Sequence, residues 1–135
     1  MRLQLALNVR DLEEAVTYYG KLFATEPHKR RPGYANFVIE QPPLKLVLFE
    51  NADAPERLNH LGVEVGNAAQ LATLERRLDN DGVLESIEHE SHCCHAVQNK
   101  LWSHEPQGLH WEWYEIVDDE PINTVTARAG VGCCG

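Results

Sequence analysis

An internal repeat is the feature that most limits how this chain can fold. Residues 3–9 match residues 59–65, and in both stretches apolar residues alternate with polar or small ones. A period of two is the pattern of a half-buried β-strand. Gln4 and His60 occupy equivalent positions in the two stretches. The sequence therefore contains two copies of one structural unit, and each copy begins with a strand.

Each predicted strand is followed by a predicted helix that has its own start signal. Asp11 and Asn67 each precede a segment with apolar residues at helical spacing, and such side chains accept a hydrogen bond from the first helical turn. Asp81-Gly82 marks the end of the second helix, because a Gly commonly follows the last helical residue. The remaining apolar stretches predict short strands near residues 34–40, 44–50, 84–90, 95–104 and 109–117, with a weaker one near 27–31.

This order of elements predicts an α+β fold built from two tandem βαβββ modules. One module leaves a face of its sheet exposed, and two modules can bury that face by pairing into a curved, partly closed mixed sheet around a cavity. We expect a single domain over residues 1–120, with repeat one at about 1–52 and repeat two at about 57–118. Residues 121–135 are rich in Gly, Ala and Thr. They predict a flexible tail that carries Cys133 and Cys134.

The charge balance narrows the class of partner. The formal net charge is -9 at pH 7, which argues against nucleic acid because a phosphate backbone is bound by clustered Lys and Arg. No apolar run approaches the roughly 20 residues that a membrane span needs, and the N-terminus has no basic stretch followed by an apolar one. We therefore expect a cytoplasmic protein with neither nucleic acid nor a membrane as its partner.

Cys93 and Cys94 are adjacent and lie between His92 and His95. Neighbouring cysteines can close a disulfide only in a strained ring, and a reducing cytosol keeps thiols free. Two free thiolates side by side suit a soft element such as trivalent arsenic or cadmium. The alternative is structural, because Cys is often buried and behaves as a small hydrophobe. The pair by itself leaves both interpretations open.

Three polar side chains on predicted strands are candidate metal ligands. Period two places Gln4, His60 and Glu112 on the faces opposite the apolar ones of their strands, where the three could meet in the cavity. Three N and O donors leave coordination positions open, as in nonheme Fe(II) and other octahedral divalent sites. A closed structural zinc site would instead use four ligands, typically Cys and His at short spacing. Gln4 in place of a His predicts weaker metal binding.

Several blocks of the sequence resemble a known family. Residues 5–12, Tyr18-Tyr19 and Leu22-Phe23 resemble the opening of vicinal oxygen chelate proteins, the superfamily of glyoxalase I, bleomycin and fosfomycin resistance proteins and extradiol dioxygenases. Residues 31–37, 42–48, 58–65 and 93–100 more narrowly resemble the carbon-arsenic lyases and the related cadmium-induced proteins. The resemblance extends over about residues 2 to 117.

The resemblance implies an Fe(II)-dependent, dioxygenase-like enzyme that cleaves the carbon-arsenic bond of trivalent organoarsenicals such as methylarsenite or reduced aromatic arsenicals and releases arsenite. The metal-binding and catalytic positions of the family fall on Gln4, His60 and Glu112, and its arsenic-binding thiols fall on Cys93 and Cys94. Fe(II) is the implied metal, and a purified sample could carry Ni, Co, Zn or Mn instead. Tyr34, Gln98, Lys100 and Trp102 are candidates to line the pocket.

Two other functions stay open at this point. The same fold and metal could serve glyoxalase-like isomerisation or thiol addition to an epoxide antibiotic, and neither reaction needs vicinal thiols. The chain could also be a non-catalytic protein that binds cadmium or arsenic. Cys133-Cys134 could then capture metal or deliver it to the inner pair, or could be incidental to the tail. Sequence alone leaves open whether the protein is a monomer or a homodimer.

Overall fold

The computed structural model describes residues 1–92 and 95–120. Within these ranges, strands and helices follow in the order βαβββ twice, as the repeat predicts. The first copy comprises β1 (Arg2–Val9), α1 (Leu12–Leu22), β2 (Lys29–Arg31), β3 (Tyr34–Ile39) and β4 (Leu44–Glu50). The second comprises β5 (Leu58–Glu64), α2 (Ala68–Asn80), β6 (Ser86–His92), β7 (Val97–His104) and β8 (His110–Asp118).

The first compact unit extends from Arg2 to Val63 and so includes nearly all of β5. Its strands lie in the order β2-β3-β4-β1-β5. β1 is parallel to β4, whereas β3 is antiparallel to both of its neighbours, β2 and β4. The sheet is therefore mixed, and the predicted α+β class is confirmed.

Buried residues lie on both faces of this first sheet, and the two faces differ in character. α1 contributes Leu12 and Val16 to an apolar core on one face, together with Phe37, Leu46 and Leu48 of the sheet. Alternate residues of β1 point away from that core, and Gln4 is fully buried there. The same side holds a smaller apolar cluster of Ala6, Tyr34 and Val47, and the other buried polar residues of the unit are Asn8, Lys29, Asn36, Lys45 and His60. Period two thus separates an apolar face from a polar one, as predicted.

The helix ends are set by the predicted capping residues. Asp11 Oδ1 accepts a hydrogen bond from the Glu14 amide at 3.1 Å, and Asn67 Oδ1 accepts one from the Gln70 amide at 2.9 Å. Asp81 caps the C-terminus of α2, and Gly82 follows at a φ of +72°, a left-handed conformation that Gly adopts without strain. Local sequence therefore determines where both helices begin and where α2 ends.

The second compact unit consists of Met1 and the described residues from Glu64 onward. Its strands lie in the order β8-β7-β6, and both pairings are antiparallel. α2 packs Leu71 and Leu78 into a core with Val65 and Leu101, and Trp113 packs against this core. Trp113 is directly opposite Leu101 in the β7–β8 register. Leu101 and Trp113 therefore lie on the face of the hairpin that packs against α2.

The predicted start of β6 at residue 84 is two residues early. The amides of Val83 and Leu84 both donate to the carbonyl oxygen of Leu78, at 2.9 and 3.2 Å, and so belong to the end of α2. Leu84 packs on the helix core. Its apolar character reflects that contact rather than a strand.

Neither α1, with 11 residues, nor α2, with 13, is long and apolar enough to cross a membrane; these are the helices of the described ranges.

Candidate functional site

Gln4 and His60 lie in contact in the first unit. β1 and β5 are neighbouring strands, and Gln4 Nε2 lies 3.1 Å from His60 Nε2. Gln4 has no exposed surface, and His60 is 7% exposed. Lys45 on β4, also buried, is the register partner of Gln4 on its other side. The equivalent positions of the repeat therefore form one buried polar pair.

A chain of amide side chains fixes the orientation of the His60 ring. His60 Nδ1 lies 2.8 Å from Asn59 Oδ1. Asn59 Nδ2 donates to Asn8 Oδ1 at 3.1 Å, and Asn8 Nδ2 donates to the Glu56 carbonyl oxygen at 3.0 Å. Because the Asn59 oxygen can only accept, Nδ1 carries the ring proton and Nε2 presents its lone pair towards Gln4. A hydrogen bond of this kind on the far nitrogen is typical of a His that binds a metal.

The pair fits two neighbouring ligands of one divalent ion. Ligands about 2.1 Å from an octahedral ion lie about 3.0 Å apart when they are adjacent. The 3.1 Å between the Gln4 and His60 side chains matches this spacing. A 180° rotation of the Gln4 side-chain amide exchanges the positions of its oxygen and nitrogen, so that the oxygen can face the ion. The residues present are therefore compatible with a metal held by an amide oxygen and an imidazole.

Glu112 is placed on β8 in the second unit and has no exposed surface. Its Oε1 lies 2.9 Å from Nζ of Lys100, which is itself 3% exposed. Burying a carboxylate costs several kcal/mol unless a partner balances its charge, and the ammonium of Lys100 does so here. Of the three predicted ligands, the structure thus shows Gln4 in contact with His60, and Glu112 in contact with Lys100.

Glu112 belongs to a row of polar and aromatic side chains on one face of the β7–β8 hairpin. Lys100 Nζ lies 5.8 Å above the centre of the Trp102 ring, and the Trp102 and His110 ring centres are 6.5 Å apart. Tyr114, fully buried, is opposite Lys100 in the register. This face is opposite the one on which Trp113 packs against the α2 core. The face of Glu112 therefore carries ionisable and aromatic side chains of the hairpin.

Cys93 and Cys94 lie outside the described residues, as do Cys133 and Cys134 and the predicted tail. The described residues on either side of the inner pair differ in environment. His92 ends β6 and is exposed, whereas His95 is 8% exposed and Gln98 is 2% exposed. Burial therefore differs between His92 on one side of the pair and His95 and Gln98 on the other. Tyr34, another candidate to line the pocket, is buried and accepts a hydrogen bond from Asn36 Nδ2 at 2.9 Å.

Sequence reasoning missed a group of three residues in the second unit. Glu85, His104 and His110 are exposed, and one donor atom from each lies within 4.8 Å of the others. Among the His, Cys, Asp and Glu side chains that the structure describes, these three lie close enough together to hold a metal ion. The signal was present in the sequence, because the turn at residues 105–108 lies between the two histidines and brings hairpin strands together.

Comparison with known proteins gives matches along most of the chain. The family model described as the Glyoxalase/Bleomycin resistance protein/Dioxygenase superfamily matches residues 3–113. A trivalent organoarsenical cleaving enzyme of Thermomonospora curvata is 48% identical over 134 residues, which is 98% of this chain and 87% of the relative. A cadmium-induced protein of Mycobacterium tuberculosis is 51% identical over 118 residues, 87% of this chain and 78% of the relative.

Solved structures show the same fold at low sequence identity. A glyoxalase/bleomycin resistance protein/dioxygenase superfamily member from Vibrio splendidus has a TM-score of 0.54 at 15% identity, covering 86% of this chain and 98% of that one. A methylmalonyl-CoA epimerase from Mycobacterium tuberculosis has a TM-score of 0.55 at 16% identity, covering 83% and 85%. These matches are evidence for the fold alone.

Proposed function

Because the chain belongs to the Glyoxalase/Bleomycin resistance protein/Dioxygenase superfamily, we propose that it is an Fe(II)-dependent, dioxygen-using enzyme that cleaves the carbon-arsenic bond of trivalent organoarsenicals and releases arsenite. The observation that carries the proposal is the 48% identity, over 98% of this chain, to a relative named as a trivalent organoarsenical cleaving enzyme. Methylarsenite is the proposed substrate, with reduced aromatic arsenicals as larger ones. The reaction would give arsenic resistance in the cytoplasm, where thiols stay reduced.

Gln4, His60 and Glu112 are the proposed metal ligands. The contact between Gln4 and His60, their burial and the fixed tautomer of His60 support this assignment in the first unit. In the second unit, the ion pair with Lys100 holds the Glu112 carboxylate in the interior before a metal arrives. When bound, Fe(II) supplies open positions and electrons for dioxygen chemistry at the carbon substituent.

Cys93 and Cys94 are the proposed arsenic-binding residues. Each thiol replaces one hydroxyl on trivalent arsenic and releases one water, so that two As–S bonds form and the carbon substituent stays on arsenic. Holding arsenic by two sulfurs fixes the direction of the carbon-arsenic bond, and much of the rate would come from such positioning. The thiols therefore select arsenic, and the other three residues serve the oxidation.

Variants that lose either metal binding or arsenical binding, but not both, test this division of roles. His60→Ala should lose iron and turnover but keep methylarsenite binding, and Cys93→Ser or Cys94→Ser should keep iron and lose methylarsenite binding. Iron content is measured by elemental analysis and arsenical binding by equilibrium dialysis with arsenic detection. His89→Ser is a matched control, since His89 is exposed on β6. Turnover retained in both single Cys variants would contradict the proposal.

The same experiment separates the proposed enzyme from two alternatives. Turnover of an unrelated substrate that survives loss of both thiols would favour a glyoxalase-like or fosfomycin-resistance-like enzyme. Tight arsenical or cadmium binding without any arsenite release would favour a sequestering protein. Removing residues 121–135 tests the tail, because unchanged arsenical affinity would leave Cys133 and Cys134 without a role in binding.

A further inference from the structure

We propose that Glu85, His104 and His110 form a second cation site, specific for Zn²⁺ and divalent ions of similar chemistry. The site uses none of the residues assigned to the proposed iron centre. It lies wholly in the second unit, at the end of the β7–β8 hairpin where His104 and His110 are directly opposite each other. Their ring centres are 4.0 Å apart.

The backbone holds the two histidines together without help from an ion. The Glu105 amide donates to the Leu109 carbonyl oxygen at 2.8 Å, and the Gly108 amide donates to the Glu105 carbonyl oxygen at 2.9 Å. The Glu105 carboxylate also accepts hydrogen bonds from the amides of Gln107 and Leu109. Gly108 has a φ of +107°, which only Gly adopts readily. The turn is therefore closed, and the two rings need little rearrangement to share an ion.

Glu85 is brought to the same place by a separate contact. Its amide donates to the Trp102 carbonyl oxygen at 2.8 Å, which fixes the Glu85 backbone beside β7. Glu85 Oε1 lies 3.6 Å from His104 Nδ1. Two donors about 2.1 Å from a tetrahedral zinc lie about 3.4 Å apart, so this pair is already near the required spacing. One donor from each of the three side chains lies within 4.8 Å of the others, a distance that small side-chain rotations can close.

The donor set determines which ion the site prefers. Two imidazoles and one carboxylate bind Zn²⁺, Ni²⁺ and Cu²⁺ more tightly than Fe²⁺ or Mn²⁺, whereas Mg²⁺ and Ca²⁺ prefer oxygen ligands throughout. The side chains of His104 and Glu85 are 45% and 48% exposed, so an ion can enter from solvent and keep water as a further ligand.

An apolar cleft of about 640 Å³ adjoins the three residues. Glu85 and His104 line it together with Val83, Leu84, Pro106, Trp111 and Trp113. An ion held by Glu85 and His104 therefore lies at the wall of this cleft. Attraction between an ion and its ligands is stronger beside such low-dielectric surface than in open water.

Zinc titration of the intact chain tests the proposal. By calorimetry, we expect the double variant His104→Gln/His110→Gln to bind one equivalent of Zn²⁺ fewer than the unchanged protein. Glu85→Gln should keep that equivalent but bind it about tenfold more weakly. The exposed His89 gives a matched control, since His89→Gln should keep every equivalent. Mg²⁺ in excess should displace none of the bound zinc.

Imidazole NMR on the unchanged protein gives a second reading that does not depend on variant folding. The ring nitrogens of His104 and His110 should shift together at one added equivalent of Zn²⁺, and the same shift should appear in His60→Ala. An unchanged zinc stoichiometry in the double variant, or imidazole resonances that do not move, would overturn the proposal. Either result would leave the proposed iron centre untouched, because His60→Ala reports on that centre separately.

Discussion

Replacing Lys100 by Met tests the buried ion pair with Glu112 and, through it, the assignment of Glu112 as a metal ligand. The Nζ–Oε1 distance is 2.9 Å, and the side chains are 3% and 0% exposed. At an effective dielectric of about 20, two charges at that distance attract by about 6 kcal/mol. Desolvation offsets much of this, and removing one partner of a buried pair typically costs about 3–5 kcal/mol. We expect Lys100→Met to lower the free energy of unfolding by about 4 kcal/mol in the absence of metal.

Urea denaturation followed by circular dichroism measures this loss. A urea m-value of roughly 2 kcal/mol/M turns a loss of about 4 kcal/mol into a midpoint about 2 M lower. Lys29→Met is the matched control for metal binding, because it removes another buried lysine, 4% exposed on β2 of the first unit.

The informative comparison is the stabilisation that Mn²⁺, an air-stable substitute for Fe(II), adds to each protein. A metal bound by Glu112 would compete with the Lys100 ammonium in the unchanged protein but not in Lys100→Met. If Glu112 is a ligand, Mn²⁺ should bind Lys100→Met at least tenfold more tightly, which is about 1.4 kcal/mol. Lys29→Met should bind Mn²⁺ like the unchanged protein.

Two results would refute this reasoning. A midpoint that falls by less than about 0.5 M, or less than about 1 kcal/mol, would mean that the ion pair is not buried as described. Equal Mn²⁺ affinity in the unchanged protein and in Lys100→Met would mean that Glu112 does not bind the metal.

Three further predictions follow from the same structure. Asn59→Ala removes the acceptor for His60 Nδ1, so metal affinity by Mn²⁺ titration should fall about 10- to 100-fold; an unchanged affinity would contradict the role given to the amide chain. Gln4→His supplies a stronger ligand, and we expect Mn²⁺ to bind about tenfold more tightly; weaker binding would count against Gln4 as a ligand. Phe37→Ala opens a cavity in a fully buried position and should lower the free energy of unfolding, measured by urea denaturation, by about 3–5 kcal/mol. The metal stoichiometry should not change. A loss of stability below about 1 kcal/mol would contradict the packing described here.

The parts of the fold that were predicted correctly depend on local sequence. Asp11 and Asn67 cap their helices as expected, and the repeat gives the order of elements. Period two also separates Gln4 from the apolar face that α1 covers. These features depend on neighbouring residues, so one sequence is sufficient to predict them.

The contacts that were not predicted depend on strand register. Lys100 is opposite Tyr114 rather than Glu112, so the ion pair is diagonal and requires the exact alignment of β7 with β8. The Glu85, His104 and His110 group likewise needs three segments in register. The first strand of the second repeat lies in the first compact unit, and this too follows from pairing between strands. Period two assigns each residue to a face of its strand but does not by itself specify which residues of two strands lie opposite each other.

Arsenite release from methylarsenite tests the central proposal most directly. The protein is prepared without oxygen, loaded with Fe(II), mixed with methylarsenite under reducing conditions and then exposed to dioxygen, with arsenic species separated by chromatography. We predict arsenite in repeated turnovers only when Fe(II) and dioxygen are both present, and none from His60→Ala or Cys94→Ser. Arsenite formed without iron, or intact methylarsenite bound tightly in the complete mixture, would contradict the proposal.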